Sequence, residues 1–430
     1  MKTSSEKRQS IEQYRQHVSS GKTAFFEKHG MGFVMGNREK STLIDVDGDK
    51  SLFNLHCNGG VFNLGHRNPE IVKVLNEAVN ELDIGNHHLI SKERAELASM
   101  LADLMPSDLN ITIFGVGGGE AVDTAIKIAR GYTERQNIIS AKGGYHGHTG
   151  LALAAGDEQY RNPFRSRLPG FEQVAFGDLD ALSHRINGET AAVILETIPA
   201  TLGIKIPDME YLQGVRSLCD QAGALLIMDE VQTGLGRTGK LWAFEYFDIL
   251  PDIVVLGKGL SGGIYPISAT VIRKPLERVF QPDPFIHIST FGGAEIGCRV
   301  AKKVLEISSS SEFLAHVNEL AIEFEKELSF LQKKHKRFFL GIRQLGLMIG
   351  LKLKDEFSGP ILTKTAYDHD LLMVYANNDQ SVCQCLPPLV TDLDDLPMVI
   401  SRLDGALTSA KRLRPIVQGK QFISNLVKKG

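Results

Sequence analysis

The feature that most constrains the fold is an alternation of short apolar runs with helical stretches, which begins near residue 110. The apolar runs are ITIF, NIIS, AAVIL, ALLIM, IVVL and SATVI, and amphipathic stretches such as GEAVDTAIKIARGYTE and MEYLQGVRSLCDQAG lie between them. Unbroken apolar runs that alternate with helices predict βαβ units and a mostly parallel sheet with both faces covered. The sequence therefore predicts an α/β fold.

Both flanks of this stretch have a different pattern. Before it, STLIDVDGDKSLFNL predicts a β-hairpin that turns at DVDGD. After about residue 310, a long amphipathic helix leads to the apolar run GLMIGLKL and a short mixed C-terminal part. We expect a large α/β domain over residues 86–320 and a smaller α+β domain built from residues 1–85 and 321–430.

Charge and composition limit the classes of partner. The net charge is −3, and 43% of the 430 residues are hydrophobic, so nothing in the charge balance favours nucleic acid or membrane surfaces. The first residues, MKTSSEKRQSIEQYRQ, contain no apolar core of a signal peptide, and no apolar run of about 18 residues occurs. The cysteines form no CxxC pair, which favours buried, reduced thiols. We expect a cytoplasmic protein that acts on small molecules.

Glycines follow the first apolar run. ITIF precedes Gly117, Gly118 and Gly119, and Glu120 then opens a predicted helix. In open α/β sheets ligands bind at the carboxyl ends of the strands, and glycines before a helix let backbone N–H groups approach a phosphate. A plain tight turn explains these glycines equally well. Glu120 stands where a GxGxxG fingerprint needs its third glycine, which excludes a dinucleotide site of that type.

Ionisable side chains follow three other apolar runs: Glu196 after AAVIL, Asp229 after ALLIM and Lys258 after IVVL. Burial lowers the pKa of a lysine and frees its amine to form an imine, although a lysine that reaches from a strand end to solvent is the simpler alternative for Lys258. Asp229 could pair with a heterocyclic nitrogen and keep that nitrogen protonated, or it could merely cap the following turn. Order and spacing decide between these alternatives.

The segments MDEVQTGLGRTG, LGKGLSGG and STFGG, in this order, resemble the class III aminotransferase family, and in particular its ornithine/GABA-type subgroup II. The similarity extends from the DVDGD hairpin through NLGH, GEAVDTAIKIAR and GYHGHT to GLMIGLKL, which is most of the chain. The resemblance implies a fold type I transferase that depends on pyridoxal 5'-phosphate (PLP). It also implies a transaminase that moves an amino group between a primary amine or amino acid and an aldehyde or keto acid.

The same resemblance assigns residues to the cofactor. Lys258 is expected to hold PLP as a Schiff base and to move the proton between Cα and C4′, while Asp229 is expected to pair with the pyridine nitrogen. The other expected cofactor contacts are Gly117, Gly118, Gly119, Tyr145, His146, Glu196, Val231, Gln232 and Thr290.

Particular roles follow for some of these contacts. Val231 and Tyr145 are expected to pack on the two ring faces, and Gln232 is expected to bond the 3-hydroxyl oxygen. Thr290 is expected to reach the phosphate of a partner subunit. The resemblance therefore implies a homodimer with shared active sites.

Four departures from the family pattern concern the proposed site. Gly117 replaces a serine of the phosphate loop, and His148 replaces an arginine. Thr201 replaces the second glutamate of EPVQGEGG, and Gln384 replaces an arginine two residues before Leu-Pro-Pro. In glutamate-using members that arginine binds the α-carboxylate, and the missing glutamate is its gate. The joint change predicts an enzyme that is not a standard glutamate/2-oxoglutarate transaminase.

Other functions share some of these sequence features. A racemase or aminomutase of the same family shares the cofactor chemistry, and a cofactor-binding regulator is disfavoured by the intact Lys258 and Asp229. Residues 234–240 (GLGRTGK) fit GxxxxGK, but Leu241 stands where a P-loop needs Ser or Thr. The pairs His87–His88 and His146–His148 lack HExxH spacing, so we expect no metal site.

Overall fold

The computed structural model describes residues 4–427. Its α-helices are α1 (Ser5–His17), α2 (Ser20–Lys28), α3 (Pro69–Glu81), α4 (Lys92–Leu104), α5 (Gly118–Thr133), α6 (Gly150–Ala155), α7 (Glu158–Arg161), α8 (Leu179–Ser183), α9 (Met209–Ala222), α10 (Glu295–Ser308), α11 (Ser311–Lys334), α12 (Ser358–Asp368) and α13 (Leu396–Val427). Short 3-10 helices cover Asn162–Phe164, Ala243–Tyr246, Lys258–Ser261, Lys274–Phe280 and Leu393–Asp395.

The strands are β1 (Met35–Glu39), β2 (Thr42–Asp45), β3 (Ser51–Asn54), β4 (Leu109–Gly115), β5 (Asn137–Lys142), β6 (Phe171–Ala175), β7 (Thr190–Glu196), β8 (Leu225–Asp229), β9 (Ile253–Leu256), β10 (Ser268–Arg273), β11 (Phe339–Leu345), β12 (Met348–Leu353), β13 (Leu371–Leu372), β14 (Val374–Ala376) and β15 (Asp379–Cys385).

The largest sheet has the order β4-β10-β9-β8-β7-β5-β6. Strands β5 to β9 pair in parallel, and β10 runs antiparallel to both β4 and β9. Every residue of β7, β8 and β9 is buried, because helices or other chain segments cover both faces. The α/β fold with a mostly parallel sheet is confirmed.

Successive residues of the central strands enter two different apolar cores. Ile227 of β8 packs with the buried face of α5, whereas the next residue, Met228, packs into the larger core that also holds Trp242 and Phe324. This separation follows from the two-residue period of a strand, which places neighbouring side chains on opposite faces. The packing on both sides fixes the register and therefore the position of each strand's carboxyl end.

Two smaller sheets flank the large one. The predicted hairpin is present, since Thr42 of β2 faces Phe53 of β3 in an antiparallel pair. Strand β13, from the C-terminal part of the chain, extends this sheet in parallel with β3. The other sheet has the order β11-β12-β15-β14. The N-terminal and C-terminal parts of the chain thus contribute strands to one sheet. The domain boundaries at residues 85/86 and 320/321 stay a prediction. Helix α11 continues across the second boundary without a break.

Among the helices of residues 4–427, none combines the length and apolar composition needed to cross a bilayer. All five cysteines are buried and free, as the sequence predicted.

Candidate active site

The carboxyl ends of β5, β7, β8 and β9 meet the N-terminus of α5 around a cavity of about 150 Å³. Its lining consists of Gly118, Gly119, Tyr145, His146, Gly147, Glu196, Asp229, Val231, Gln232 and Lys258. All residues that the sequence predicted for the site, except Gly117 and Thr290, are therefore brought together. They meet here because parallel strands end at the same edge of a sheet.

Lys258 follows β9 and begins a short 3-10 helix with a φ of 39°, a left-handed conformation that costs energy for a residue with a side chain. Its Nζ donates a hydrogen bond to Gln232 Oε1 at 2.6 Å. Burial lowers the pKa of the Lys258 amine, while the nearby Glu196 and Asp229 carboxylates oppose this shift. A lowered pKa makes the neutral, nucleophilic form of the amine more available.

Asp229 is the last residue of β8 and is 4% exposed. One carboxylate oxygen accepts the Val231 N–H at 3.1 Å, and the other lies 2.8 Å from His146 Nδ1. The carboxylate thus caps the turn, and it also forms an ion pair inside the cavity. Burial alone would lower the pKa of His146, but the hydrogen bond and charge of Asp229, together with Glu196, raise it overall. His146 therefore orients the Asp229 carboxylate.

Glu196 ends β7 directly beside Asp229 in the sheet register. Burial, opposed by the charge of His146, raises the pKa of Glu196 to about 7. Its Oε2 accepts the backbone N–H of Tyr145 at 2.8 Å. Glu196 therefore holds the segment after β5 against the cavity.

The N-terminus of α5 has room for glycine alone. A Cβ on Gly118 would lie 3.0 Å from Val231 Cγ1, and a Cβ on Gly119 would lie 2.7 Å from Thr149 Oγ1. No side chain caps this end of the 16-residue helix, so its first N–H groups and its positive dipole are available to an anion.

The two remaining predicted residues lie nearby. Gly117 is the residue before α5 and lines a neighbouring cavity of about 270 Å³, which also contacts Lys258. Thr290 is exposed in the loop before α10 and lines neither cavity.

The donor set of the cavity fits PLP. A buried carboxylate suits the pyridine nitrogen, an amine suits the aldehyde, and an amide suits the ring hydroxyl. The glycine cradle at the start of α5, which a Cβ would fill, suits the phosphate. Val231 and Tyr145 supply apolar walls between these groups. The arrangement can bind a phosphorylated pyridine and hold an amine at its aldehyde carbon.

The alternative sites are not supported by the geometry. Residues 234–240 form turns without a following α-helix, and the buried Arg237 donates to backbone oxygens of Leu347 and Pro387 at 3.1 and 2.7 Å. This segment therefore connects chain regions and forms no phosphate loop. Within residues 4–427 no group of three or more His, Cys, Asp or Glu side chains is arranged to hold a metal ion.

The loop at Gly59 also approaches the cavity, and this contact was not predicted from the sequence. Residues Cys57 to Gly60 all have positive φ, and a Cβ on Gly59 would lie 3.3 Å from Lys258 Nζ and 3.2 Å from Gln232 Oε1. The Asn54 side chain accepts the N–H groups of His56 and Cys57, which holds this turn. The glycine pair in HCNGG was a visible indication of a close backbone approach.

The sheet and the donor set at its edge define a PLP-dependent enzyme. The sequence model of the family "Aminotransferase class-III" matches residues 26–407, so the chain belongs to this family. An uncharacterized aminotransferase of Archaeoglobus fulgidus is 54% identical over 95% of this chain and 96% of its own length. Putrescine aminotransferase of Pectobacterium atrosepticum is 33% identical over 87% of this chain and 83% of its own length.

The fold has a close match among solved structures. The ornithine aminotransferase of Toxoplasma gondii ME49 matches with a TM-score of 0.86 at 24% identity and covers 96% of both chains. This match concerns the fold. The family and its relatives show that the chain is a transaminase with PLP as its cofactor, acting on amine or amino-acid and oxo substrates. They give no support to the racemase or aminomutase alternative.

Proposed function

We propose that this transaminase prefers amino donors that present a primary amine with the carboxylate remote or absent, and that it uses glutamate and 2-oxoglutarate poorly. The observation that carries the proposal is the composition of the cavity wall, because no arginine is among the described residues that line it. An α-carboxylate bound next to the reacting amine needs a charged, preferably bidentate partner, which arginine supplies.

The position of Gln384 supports this proposal. Gln384 lies in β15, is 7% exposed, and faces Gly350 and Val374 on the neighbouring strands. An amide there offers a neutral donor where the family pattern has a guanidinium. Loss of a charge-assisted pair costs roughly 1.5–3 kcal/mol, or about ten- to a hundredfold in binding.

The hydrogen bond of Thr201 also supports the proposed donor preference. The Thr201 hydroxyl donates a hydrogen bond to the carbonyl of Gly143 at 2.8 Å, so this donor already has an acceptor within the chain. No carboxylate at this position remains to hold an arginine. The two departures from the glutamate-using pattern are thus consistent with each other.

The arginines that follow Tyr145 do not line the cofactor cavity. Arg165 and Arg167 are exposed, and Arg161 donates to Ala154 O at 3.3 Å and lines a separate cavity with Lys142. These positions favour donors without an α-carboxylate. The relative that acts on putrescine, a diamine, favours the same class. Assignment to the ornithine/GABA-type subgroup is part of this proposal and rests on the DEVQTGLGRTG and GKGLSGG motifs.

The proposed roles in the cavity follow from its contacts. When bound, PLP supplies an electron sink for the carbanion charge that develops at the substrate carbon. Lys258 would hold the cofactor through its amine and would take up and return the substrate proton, since its amine has a lowered pKa. Asp229, oriented by His146, would pair with the pyridine nitrogen and keep it protonated, and Gln232 would bind the ring hydroxyl.

The remaining contacts position the cofactor. Val231 and Tyr145 would pack on the two ring faces, and Glu196 orients Tyr145 by accepting its backbone N–H. Gly118 and Gly119 would donate N–H groups to the phosphate from the start of α5, and Gly117 is the residue before this helix.

A homodimer with shared sites is part of the proposal. Large apolar side chains are exposed on two adjoining loops, namely Leu89, Ile90, Phe285, Ile286, Ile288 and Phe291. The rings of His88 and Phe285 lie 5.4 Å apart and join these loops. Exposed apolar patches of this kind mark interaction surfaces. A second copy packed here would bring Thr290, which lies in the same segment, to the phosphate of its partner.

A cytoplasmic location of the enzyme also stays a prediction.

The test compares kcat/KM for glutamate, alanine, an ω-amino acid and a terminal diamine. We expect the diamine or the ω-amino acid to exceed glutamate by at least about tenfold, which is the low end of the value for a missing ion pair. Gln384→Arg should narrow this gap, with Gln384→Met as the control for altered packing. A wide preference of the wild-type enzyme for glutamate would overturn the proposal.

A further inference from the structure

The carbonyl of Gly143 accepts two hydrogen bonds from distant parts of the chain. Thr201 Oγ1 and Asn378 Nδ2 both lie 2.8 Å from this oxygen. The backbone N–H of Asn378 also donates to the carbonyl of Thr201 at 2.9 Å. Gly143 follows β5, Thr201 follows β7, and Asn378 lies in the turn between β14 and β15. We call these three residues the Gly143 clasp.

The Gly143 clasp lies immediately before the residues that wall the cofactor cavity. The N–H of Gly143 donates to Asp157 Oδ1 at 2.8 Å, so both sides of this residue are held. With a φ of 81°, Gly143 approaches Leu202 so closely that a Cβ would lie 2.5 Å from Leu202 Cδ1. Two residues later, the N–H of Tyr145 donates to Glu196. The path of the chain from 143 to 145 is thereby fixed at both ends.

Asn378 contacts the Tyr145 region by a second route. Its Oδ1 accepts hydrogen bonds from Gln159 Nε2 at 2.6 Å and from the Tyr160 hydroxyl at 3.4 Å. The Tyr160 ring packs edge-on against His148 with centroids 5.4 Å apart, and His148 packs against Tyr145 at 5.3 Å. Asn378 therefore uses both ends of its amide to hold the segments on either side of Tyr145.

We propose that Asn378 and Thr201 are positioning residues that hold Tyr145 against the cofactor ring. This inference rests on the proposed stacking of the cofactor on Tyr145. Asn378 is 235 residues away from Gly143 and belongs to the C-terminal β14–β15 hairpin. The position of that hairpin therefore affects the Tyr145 side of the cofactor cavity, whereas the rest of the cavity is formed at the edge of the large sheet.

A matched control separates this role from ordinary stability. Asn318 Nδ2 donates to the carbonyl of Gly239 at 3.0 Å, which is the same kind of amide-to-glycine bond at a position outside the cofactor cavity. Asn318→Ala therefore removes the same kind of bond at a position that does not line the cofactor cavity. Thr201→Ser keeps the hydroxyl that Thr201→Ala removes.

The experiment measures two properties of each holoenzyme. Hydrogen exchange followed by mass spectrometry reports the protection of the peptide over residues 141–147, and a scavenger assay reports the rate of PLP release. One net hydrogen bond corresponds to about a two- to tenfold effect. We expect Asn378→Ala and Thr201→Ala to raise both rates by such a factor, whereas Thr201→Ser and Asn318→Ala stay close to wild type.

Two results would overturn the inference. Unchanged exchange over residues 141–147 in Asn378→Ala would show that the clasp does not hold the segment. Faster exchange with unchanged PLP release would show that it does not position the cofactor. Tyr145→Ala then locates the failure: if this variant also leaves PLP release unchanged, the proposed stacking is wrong, and if it accelerates release, only the role of Asn378 is wrong.

Discussion

Replacing Gly118 by alanine tests the proposed cofactor cradle where it approaches Val231. A Cβ at this position would lie 3.0 Å from Cγ1 and 3.4 Å from Cγ2 of Val231. Carbon atoms in favourable contact are about 3.5–4.0 Å apart, so Val231 has to move by roughly half an ångström. Since Val231 lines the cavity, its displacement changes the surface on which the cofactor ring is proposed to pack.

The magnitude follows from the cost of overpacking, which is typically about 1–3 kcal/mol. If the strain is relieved when the cofactor leaves, PLP affinity falls by about five- to a hundredfold. Gly131→Ala is the control, because it lies in the same helix and its Cβ would lie 3.1 Å from Val279 Cγ1. Both variants gain helix propensity, up to about 1 kcal/mol, so the comparison cancels much of this term.

The assay is a titration of each apoenzyme with PLP, followed by the visible absorbance of the bound cofactor. We expect Gly118→Ala to bind PLP more weakly than wild type and Gly131→Ala to bind it normally. Equal affinities for the two variants, at comparable thermal stability, would refute the placement of the cofactor between Val231 and the start of α5.

Three further predictions concern charge and assembly. Asp229→Asn should retain the fold but lose at least about tenfold in kcat, because a neutral amide no longer keeps the pyridine nitrogen protonated; a rate near wild type in a half-reaction assay would show that Asp229 only caps its turn. Mixed dimers of Lys258→Ala and Thr290→Ala subunits should recover activity, and no recovery despite proven subunit exchange would contradict shared sites. Burial raises the pKa of Glu230 to about 7, so the folded chain retains a proton that the unfolded chain releases near pH 4.5, and stability falls as the pH rises through 7. Between pH 5.5 and 8, the free energy of unfolding of Glu230→Gln, measured in denaturant, should therefore fall less than that of the wild type. An equal fall would show that Glu230 is not the source of this pH dependence.

Much of the site could be predicted because its residues follow the strand ends directly. Glu196, Asp229 and Lys258 stand at or just after the ends of β7, β8 and β9, and the buried runs before them were evident from the sequence. Sheet geometry then brings residues together that are far apart in the chain. The cradle at Gly118 and Gly119 was predicted for the same reason, since these residues open a helix after β4.

The rest depends on tertiary contacts that have no local pattern. Asn378 lies in a hairpin turn, and nothing in the letters YANNDQ indicates that its amide reaches the carbonyl of Gly143. The pairing of His146 with Asp229 was equally hidden, because it joins the ends of two strands that are not neighbours in the sheet. Burial of Glu230, which accepts the N–H groups of Ala243 and Phe244, follows from the path of a turn that the sequence left undetermined.

The most direct test of the central claim is the attachment of the cofactor to Lys258. The holoenzyme is treated with sodium borohydride, digested, and analysed by mass spectrometry for a peptide that carries the reduced pyridoxyl group. We expect this group on Lys258 alone, because its amine is enclosed in the cavity and has a lowered pKa. Lys258→Ala should purify folded, lack the modification and show no turnover, and Lys258→Arg should fail equally, since a guanidinium cannot form the bond. Modification of a different lysine, or full turnover in Lys258→Ala, would contradict the account.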